Sequence, residues 1–294
     1  MKKGVWLIEI ITLPDLNNWF KKIDGLCWKL YKLKIGQQVV LDMQKTIFIR
    51  PSGAMMVLLL CIEIYNRTGE RVRLDNLKAD VLAYLERIDL FKFNIVYTDS
   101  RLSIWRKMNR GNKSLSVIEI TEIKDPSDVN AFRKRSQEII QRWFSDEDLK
   151  SDCDKISTII FELCNNSLEH STGTQEMGTC YGILQVYKHQ NGPEITLTIG
   201  DLGIGIRNHL KIKHSWVYNS DAITIKKVLN GLSGRLDGSG GIGLPTVKHR
   251  TRELNGNLYI RSGRAVVGLE DELRVAEFDG SFPGMQSHIV IRKS

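Results

Sequence analysis

The sequence predicts an α/β protein in two domains, and three observations predict it. The chain has 294 residues, about two domains at the usual size. Its first hundred residues alternate short apolar runs with helical ones, a β-turn-α-β-α order that makes a small α/β unit. Its second half sets a strand-patterned run at 195–206 between a helix at 161–171 and a glycine-led helix at 244–254. Hydrophobic residues at 42% and charged residues at 26% are ordinary for a globular chain.

Met1-Lys2-Lys3 followed by Val5 to Leu13 imitates a signal peptide. Glu9 interrupts its apolar core and no small-residue cleavage site follows, so a first strand is expected there. Gln38 to Met43 reads as a strand ending in Asp42, and Thr46 to Ile49 as another. Arg50-Pro51-Ser52-Gly53 breaks the chain before a helical run from Ala54 to Tyr65, with Ser52 expected as the helix cap. Arg71 to Leu74 reads as a strand. Lys78 to Ile88 reads as a helix with Val81, Leu82 and Leu85 on one face. This first domain is assigned to residues 1–106. The polar, basic stretch from Lys107 to Ser114 separates it from the second, residues 115–294. There an amphipathic helix, Asp128 to Trp143, opens the domain with Arg133-Lys134-Arg135 on a solvated face.

The segment from Phe161 to Ser171 carries the chemistry. At about 100° per residue, Asn165, Glu169, Glu162, Asn166 and His170 crowd an arc of roughly 140°. Ile156, Leu163, Ile160, Cys164, Leu168 and Phe161 fill the opposite side. Glu162 and Asn166 stand one turn apart, so a carboxylate and an amide oxygen can meet at one metal ion or one activated water. Taken alone, the face is equally a solvated helix surface. Downstream, alternating apolar residues at 195–200 end in Asp201-Leu-Gly203-Ile-Gly205, where the backbone can bend and approach a ligand. A second cluster, Gly238-Ser-Gly240-Gly241-Ile242-Gly243-Leu244, runs into the helix at 244–254. Glycines before a helix N-terminus leave N–H groups free for phosphate oxygens. Neither cluster fits G-x-x-x-x-G-K-S/T, nor G-x-G-x-x-G in a strand-to-helix turn.

In order, these three segments resemble the GHKL ATPase family. Glu162 to His170 matches its N box, Asp201-Leu-Gly203-Ile-Gly205 its D-x-G-x-G box, and Gly238 to Leu244 its second glycine box with one extra glycine. The resemblance covers Leu115 to Ser294. It implies the Bergerat fold, a two-layer α/β sandwich with a mixed sheet and helices on one face, and ATP and Mg²⁺ as cofactors. Asn166 would be the Mg²⁺ ligand, and Glu162 would orient or deprotonate the attacking water or hydroxyl. Asp201 would accept from the exocyclic amine of adenine, with Gly203 and Gly205 letting the base lie against the backbone. Gly238, Gly240, Gly241, Ile242, Gly243 and Leu244 would hold the triphosphate. Arg207 to Asp237 would be a mobile lid carrying Lys211, Lys213, Lys226, Lys227 and Arg235. Ser287 would support the adenine aspartate. For His170, a structural hydrogen bond at the helix end is as good a reading as a direct role.

The Asn-Ser-x-Glu-His ending looks like the anti-sigma-factor serine kinase branch. Val39 to Phe91 resembles a STAS domain, the fold of anti-anti-sigma factors, although Pro51 stands where those regulators carry a phosphorylatable serine. The resemblance therefore implies a regulatory serine/threonine kinase or ATPase acting on protein partners, with homodimers common among relatives. Two other classes stay open: a nucleotide-gated interaction module with little turnover, and an ATPase subunit of a nucleic-acid-handling assembly.

The net charge of +8 is spread along the chain with no basic helix or aromatic-basic repeat, so nucleic-acid binding is not expected. The longest apolar run, Ala54 to Ile62, falls short of the ~20 residues that span a bilayer. The five cysteines include no C-x-x-C pair and read as reduced core thiols of a cytoplasmic protein.

Overall fold

A computed structural model describes residues 8–16, 24–99, 115–143, 149–174, 176–190, 192–214, 219–232, 241–270 and 273–292. The chain separates into two compact units, Met1–Lys113 and Ser114–Ser294. Among the described residues no helix is long and apolar enough to cross a membrane. All five cysteines are buried free thiols.

The first unit is a parallel sheet of β1 (Ile8–Thr12), β2 (Gln38–Asp42), β3 (Val72–Asp75) and β4 (Val96–Tyr97) in that spatial order. Parallel neighbours need crossovers, and α1 (Asp24–Leu30), α2 (Pro51–Thr68) and α3 (Ala79–Arg87) supply them. Val81, Leu82 and Leu85 of α3 are buried, as their spacing requires. The helix α2 is buried on every side from Pro51 to Cys61 and stops at Gly69, whose φ of 74° lets its N–H reach the Tyr65 carbonyl at 2.7 Å.

Two expectations fail here for local reasons. Thr46 to Ile49 forms no strand. It is the turn that carries the chain from β2 to α2, tied by Thr46 N–H to the Met43 carbonyl, and it leaves Ile47 and Phe48 exposed. Ser52 does not cap α2. Pro51 already opens the helix, where its fixed φ is suited and its missing N–H costs nothing. Arg50 takes the cap position, its side chain making no capping hydrogen bond to the helix, and Ser52 is buried inside the first turn.

The second unit holds β5 (Val117–Ile123), β6 (Cys180–His189), β7 (Gly192–Asp201), β8 (Asn257–Leu269) and β9 (Leu273–Arg292) in the order β5-β6-β7-β9-β8. The expected mixed sheet is corrected: every described pairing is antiparallel. The helices α4 (Pro126–Trp143) and α5 (Leu149–His170) pack on each other between β5 and β6. An up-and-down helix pair returns the chain to the end of the sheet where β5 finished, so β6 runs back beside it. The strands β6 and β7, and β8 and β9, then pair antiparallel as neighbours in sequence.

Between β7 and β8 lie α6 (Gly205–Lys213), α7 (Asp221–Val228) and α8 (Gly243–Glu253). Ile195, Leu197 and Ile199 of β7 point to one face with the period of two that a strand imposes. They meet Ile156, Ile160, Leu163 and Leu168 of α5, Ile225 of α7 and Val247 of α8 in one core. Asp201 is next in that alternation, so the strand delivers a carboxylate to the helix side of the sheet.

Candidate functional site

The helix α5 presents the polar face its sequence describes. Glu162, Asn165, Asn166, Glu169 and His170 all line one cavity of about 390 Å³, a size within the range of small-molecule sites. Phe161 departs from its expected place on the apolar side. It is 40% exposed at this cavity, with the Arg133 guanidinium 5.1 Å from its ring centroid.

Asp201 reaches the same cavity from the end of β7 and is 2% exposed. Its Oδ1 accepts from the Gly203 N–H at 2.9 Å and the Met285 N–H at 3.1 Å, and its Oδ2 accepts from the Ser167 hydroxyl at 2.7 Å. Burial lifts the Asp201 carboxyl above the ordinary aspartate range, and these three donors offset that only in part. The bond to Gly203 is an Asx turn, which bends the chain out of the strand. Gly203 itself lies against the end of α5, where a Cβ would stand 2.3 Å from the Ser171 carbonyl oxygen. It packs the turn closely and is not among the described residues that line the cavity. Gly205 does line the cavity, at a φ of +78° that favours glycine. Ser262 fastens this turn by accepting from Ile206 N–H at 3.0 Å and donating to the Gly284 carbonyl at 2.9 Å.

The second glycine cluster closes the cavity from α8. Gly241, Ile242, Gly243 and Leu244 line it, and Ile242, at the N-cap position, makes no side-chain cap bond. Gly238 and Gly240 lie outside the described residues. A Cβ on Gly243 would meet Glu162 Oε2 at 3.0 Å and the Asn166 carboxamide at 3.1 and 3.2 Å. Residues about eighty positions apart therefore meet, and the missing side chain of Gly243 leaves room for both.

Burial first, and the charge of Glu169 second, raise the Glu162 carboxyl above its ordinary value. Asn166 Nδ2 is buried without a hydrogen-bond partner among the described residues. Such an orphan costs free energy unless something fills the site, and amide rotation can put oxygen in its place. The described residues contain no group of three or more His, Cys, Asp or Glu able to hold a metal. Mg²⁺ that rides on phosphates takes only one or two protein oxygens, and Asn166 with Glu162 meets that need.

Other assignments change. Ser287 does not support Asp201: its hydroxyl is buried with no partner among the described residues, opposite Ile199 and two positions from the carboxylate. Ser167 and the Met285 N–H do that work. Ser167 was legible in principle, since a serine one turn from Leu163 on an apolar helix face needs a partner. The Met285 N–H carries no sequence signal. His209 of α6 was also missed; it lines the cavity with its ring centroid 4.4 Å from that of His170.

Nor is all of Arg207 to Asp237 a lid. Ala222 and Ile225 of α7, and Leu229 after it, belong to the core. Ser220 caps α7 by accepting from Ile223 N–H, and Glu277 of β9 accepts from the Ala222 N–H. Lys211, Lys226 and Lys227 are not among the described residues that line the cavity. Arg235 and the side chain of Lys213 lie outside the described residues. No protein-family model matches the chain, and no curated protein matches its sequence.

Proposed function

We propose that this protein binds Mg·ATP in this cavity as a GHKL (Bergerat-fold) protein of the anti-sigma-kinase type. It passes the γ-phosphoryl to a hydroxyl of a protein partner, or to water. One observation carries the reading: a single cavity takes in Glu162, Asn166, Asp201, Gly205, Gly241, Ile242, Gly243 and Leu244, drawn from three distant segments. Asp201 keeps lone-pair capacity on Oδ2 beyond its bond to Ser167, which suits the exocyclic amine of adenine. Guanine presents a carbonyl at that position and would meet a carboxylate.

The N–H groups of Gly243 and Leu244, at the start of α8, suit phosphate oxygens. The described lining holds three carboxylates and no lysine or arginine, so a polyphosphate entering it needs a divalent cation. Bound Mg²⁺ supplies that neutralisation and polarises the phosphoryl group. Asn166 offers the amide oxygen. Glu162, with its carboxyl raised above its ordinary value by burial and Glu169, is suited to take the proton from an attacking hydroxyl.

A described lining without lysine or arginine also suits a second reading, a nucleotide-gated interaction module in which turnover is slow. Unit 1, with its STAS-like order of elements and Pro51 in place of a phosphorylatable serine, would then be the partner-facing half in both readings.

Titration with ATP, ADP and GTP, with and without Mg²⁺, tests the site. ATP is expected to bind well above GTP, and Asn166→Ala to abolish the Mg²⁺ dependence. Equal affinity for ATP and GTP, or full Mg²⁺ dependence in Asn166→Ala, overturns it. Phosphate release and phosphoprotein formation then separate kinase or ATPase from module.

A further inference from the structure

The net charge conceals a local surface that becomes visible only once burial is known. In α1 and the turn after it, Leu26, Cys27 and Leu30 face inward and are buried. That orientation turns Trp28, Lys29, Tyr31 and Lys32 outward, and Lys34 and Ile35 follow on the exposed side. Trp28 is 58% exposed, Tyr31 52% and Ile35 91%. Large apolar side chains this open are ordinary singly and informative together. Between Asp24 and Asp42 the chain carries Lys29, Lys32 and Lys34 and no acidic residue. Arg67 lies over the Tyr31 ring at 4.8 Å, although Glu63 at 2.6 Å offsets its charge.

We propose that this patch docks the protein on an anionic lipid bilayer. Trp and Tyr rest at the boundary between head groups and acyl chains, with an apolar body and a polar tip. Ile35, the most open of the three, is the residue that enters the acyl region. The lysines stay with the head groups, their stems along the apolar surface and their charges on lipid phosphates.

Nucleic acid would share the lysines and could stack on the aromatic rings. It would leave Ile35 with nothing to bury against, and Arg67, the planar guanidinium beside Tyr31, is already paired with Glu63 while the other cations are lysines. The site is independent of the nucleotide cavity and would stand if that reading fell.

Flotation of the full chain with phosphatidylcholine vesicles, with and without 30% phosphatidylserine, tests the proposal. The wild type is expected to float with the anionic vesicles alone. At about fivefold per lysine near a charged surface, Lys29→Gln/Lys32→Gln/Lys34→Gln should weaken binding about 100-fold. Trp28→Ala/Ile35→Ser should abolish flotation with the melting temperature unchanged, because both residues are exposed. The charge-matched control Lys124→Gln/Lys134→Gln/Arg142→Gln should float like the wild type.

Failure of the wild type to float overturns the proposal. Equal loss in the control reduces the effect to net charge and overturns the patch. Binding of a single-stranded oligonucleotide that Trp28→Ala abolishes, without flotation, assigns the surface to nucleic acid instead.

Discussion

Asp201→Asn separates ligand recognition from stability at one atom. In the wild type Oδ1 accepts from two backbone N–H groups and Oδ2 from the Ser167 hydroxyl. Asparagine keeps Oδ1 for the two N–H donors, and the Ser167 hydroxyl can rotate to accept from the new Nδ2. No buried group is orphaned, and the charge that burial penalises is gone. Toward adenine the exchange is severe, because an N–H now faces the exocyclic N–H. Loss of a hydrogen bond to a charged acceptor is worth about 1.5–3 kcal/mol, so ATP affinity should fall about 10- to 150-fold.

Stability should move the other way, with a definite pH dependence. The Asp201 carboxyl lies above the ordinary aspartate value in the folded chain. Its contribution is therefore fully present below about pH 3.9 and is lost as pH rises through the folded value. The substituted carboxamide does not titrate. At pH 7 the variant should melt no lower than the wild type, and its advantage should shrink as the solution is acidified through that window. Calorimetric titration of ATP beside thermal melts from pH 3 to 7 measures both quantities. Unchanged ATP affinity, or an advantage that grows on acidification, refutes the reasoning.

Ser167→Ala removes one of three donors from the buried carboxylate, and urea denaturation at pH 7 should show a loss of about 1–3 kcal/mol. The loss should fade at acid pH, where Asp201 is protonated. Glu162→Gln should leave ATP binding intact and cut γ-phosphate release or transfer by about 100-fold or more. Glu169 is the second cause of the raised Glu162 carboxyl, so Glu169→Gln should move the acid limb of kcat/KM to lower pH. Burial remains, and the move should be partial. The two glycines next to α5 should behave oppositely. Gly203→Ala puts a Cβ 2.3 Å from the Ser171 carbonyl oxygen and should cost about 3 kcal/mol in a melt. Gly243→Ala meets only the movable ends of Glu162 and Asn166. It should spare stability and weaken ATP about tenfold, as a titration beside the same melt would show.

Much of the fold was legible from local pattern. The period of two in Ile195, Leu197 and Ile199 marked β7, and the run of apolar residues from Ala54 marked α2. Each signal is local, because backbone period and side-chain burial are coupled within a few residues. The turn at Thr46 to Ile49 was not legible, since a four-residue apolar run looks like a strand until its neighbours are known. Strand direction in the second unit was hidden for a similar reason. It depends on how α4 and α5 fold back on one another, which no short stretch of either helix encodes.

The site divides along the same line. Residue types and spacing alone determined that Glu162 and Asn166 share a helix face, that Asp201 ends a strand, and that a glycine run precedes a helix. These follow from the geometry of single elements. Only the tertiary structure decided that Ser167 and the Met285 N–H, rather than Ser287, hold Asp201. It also decided that Gly243 lies against Glu162 and Asn166, that His209 joins His170, and that α7 is core rather than lid. Those relations are distances between segments dozens of residues apart, set by how apolar faces pack. The chain supplies the groups, and packing chooses which of them meet.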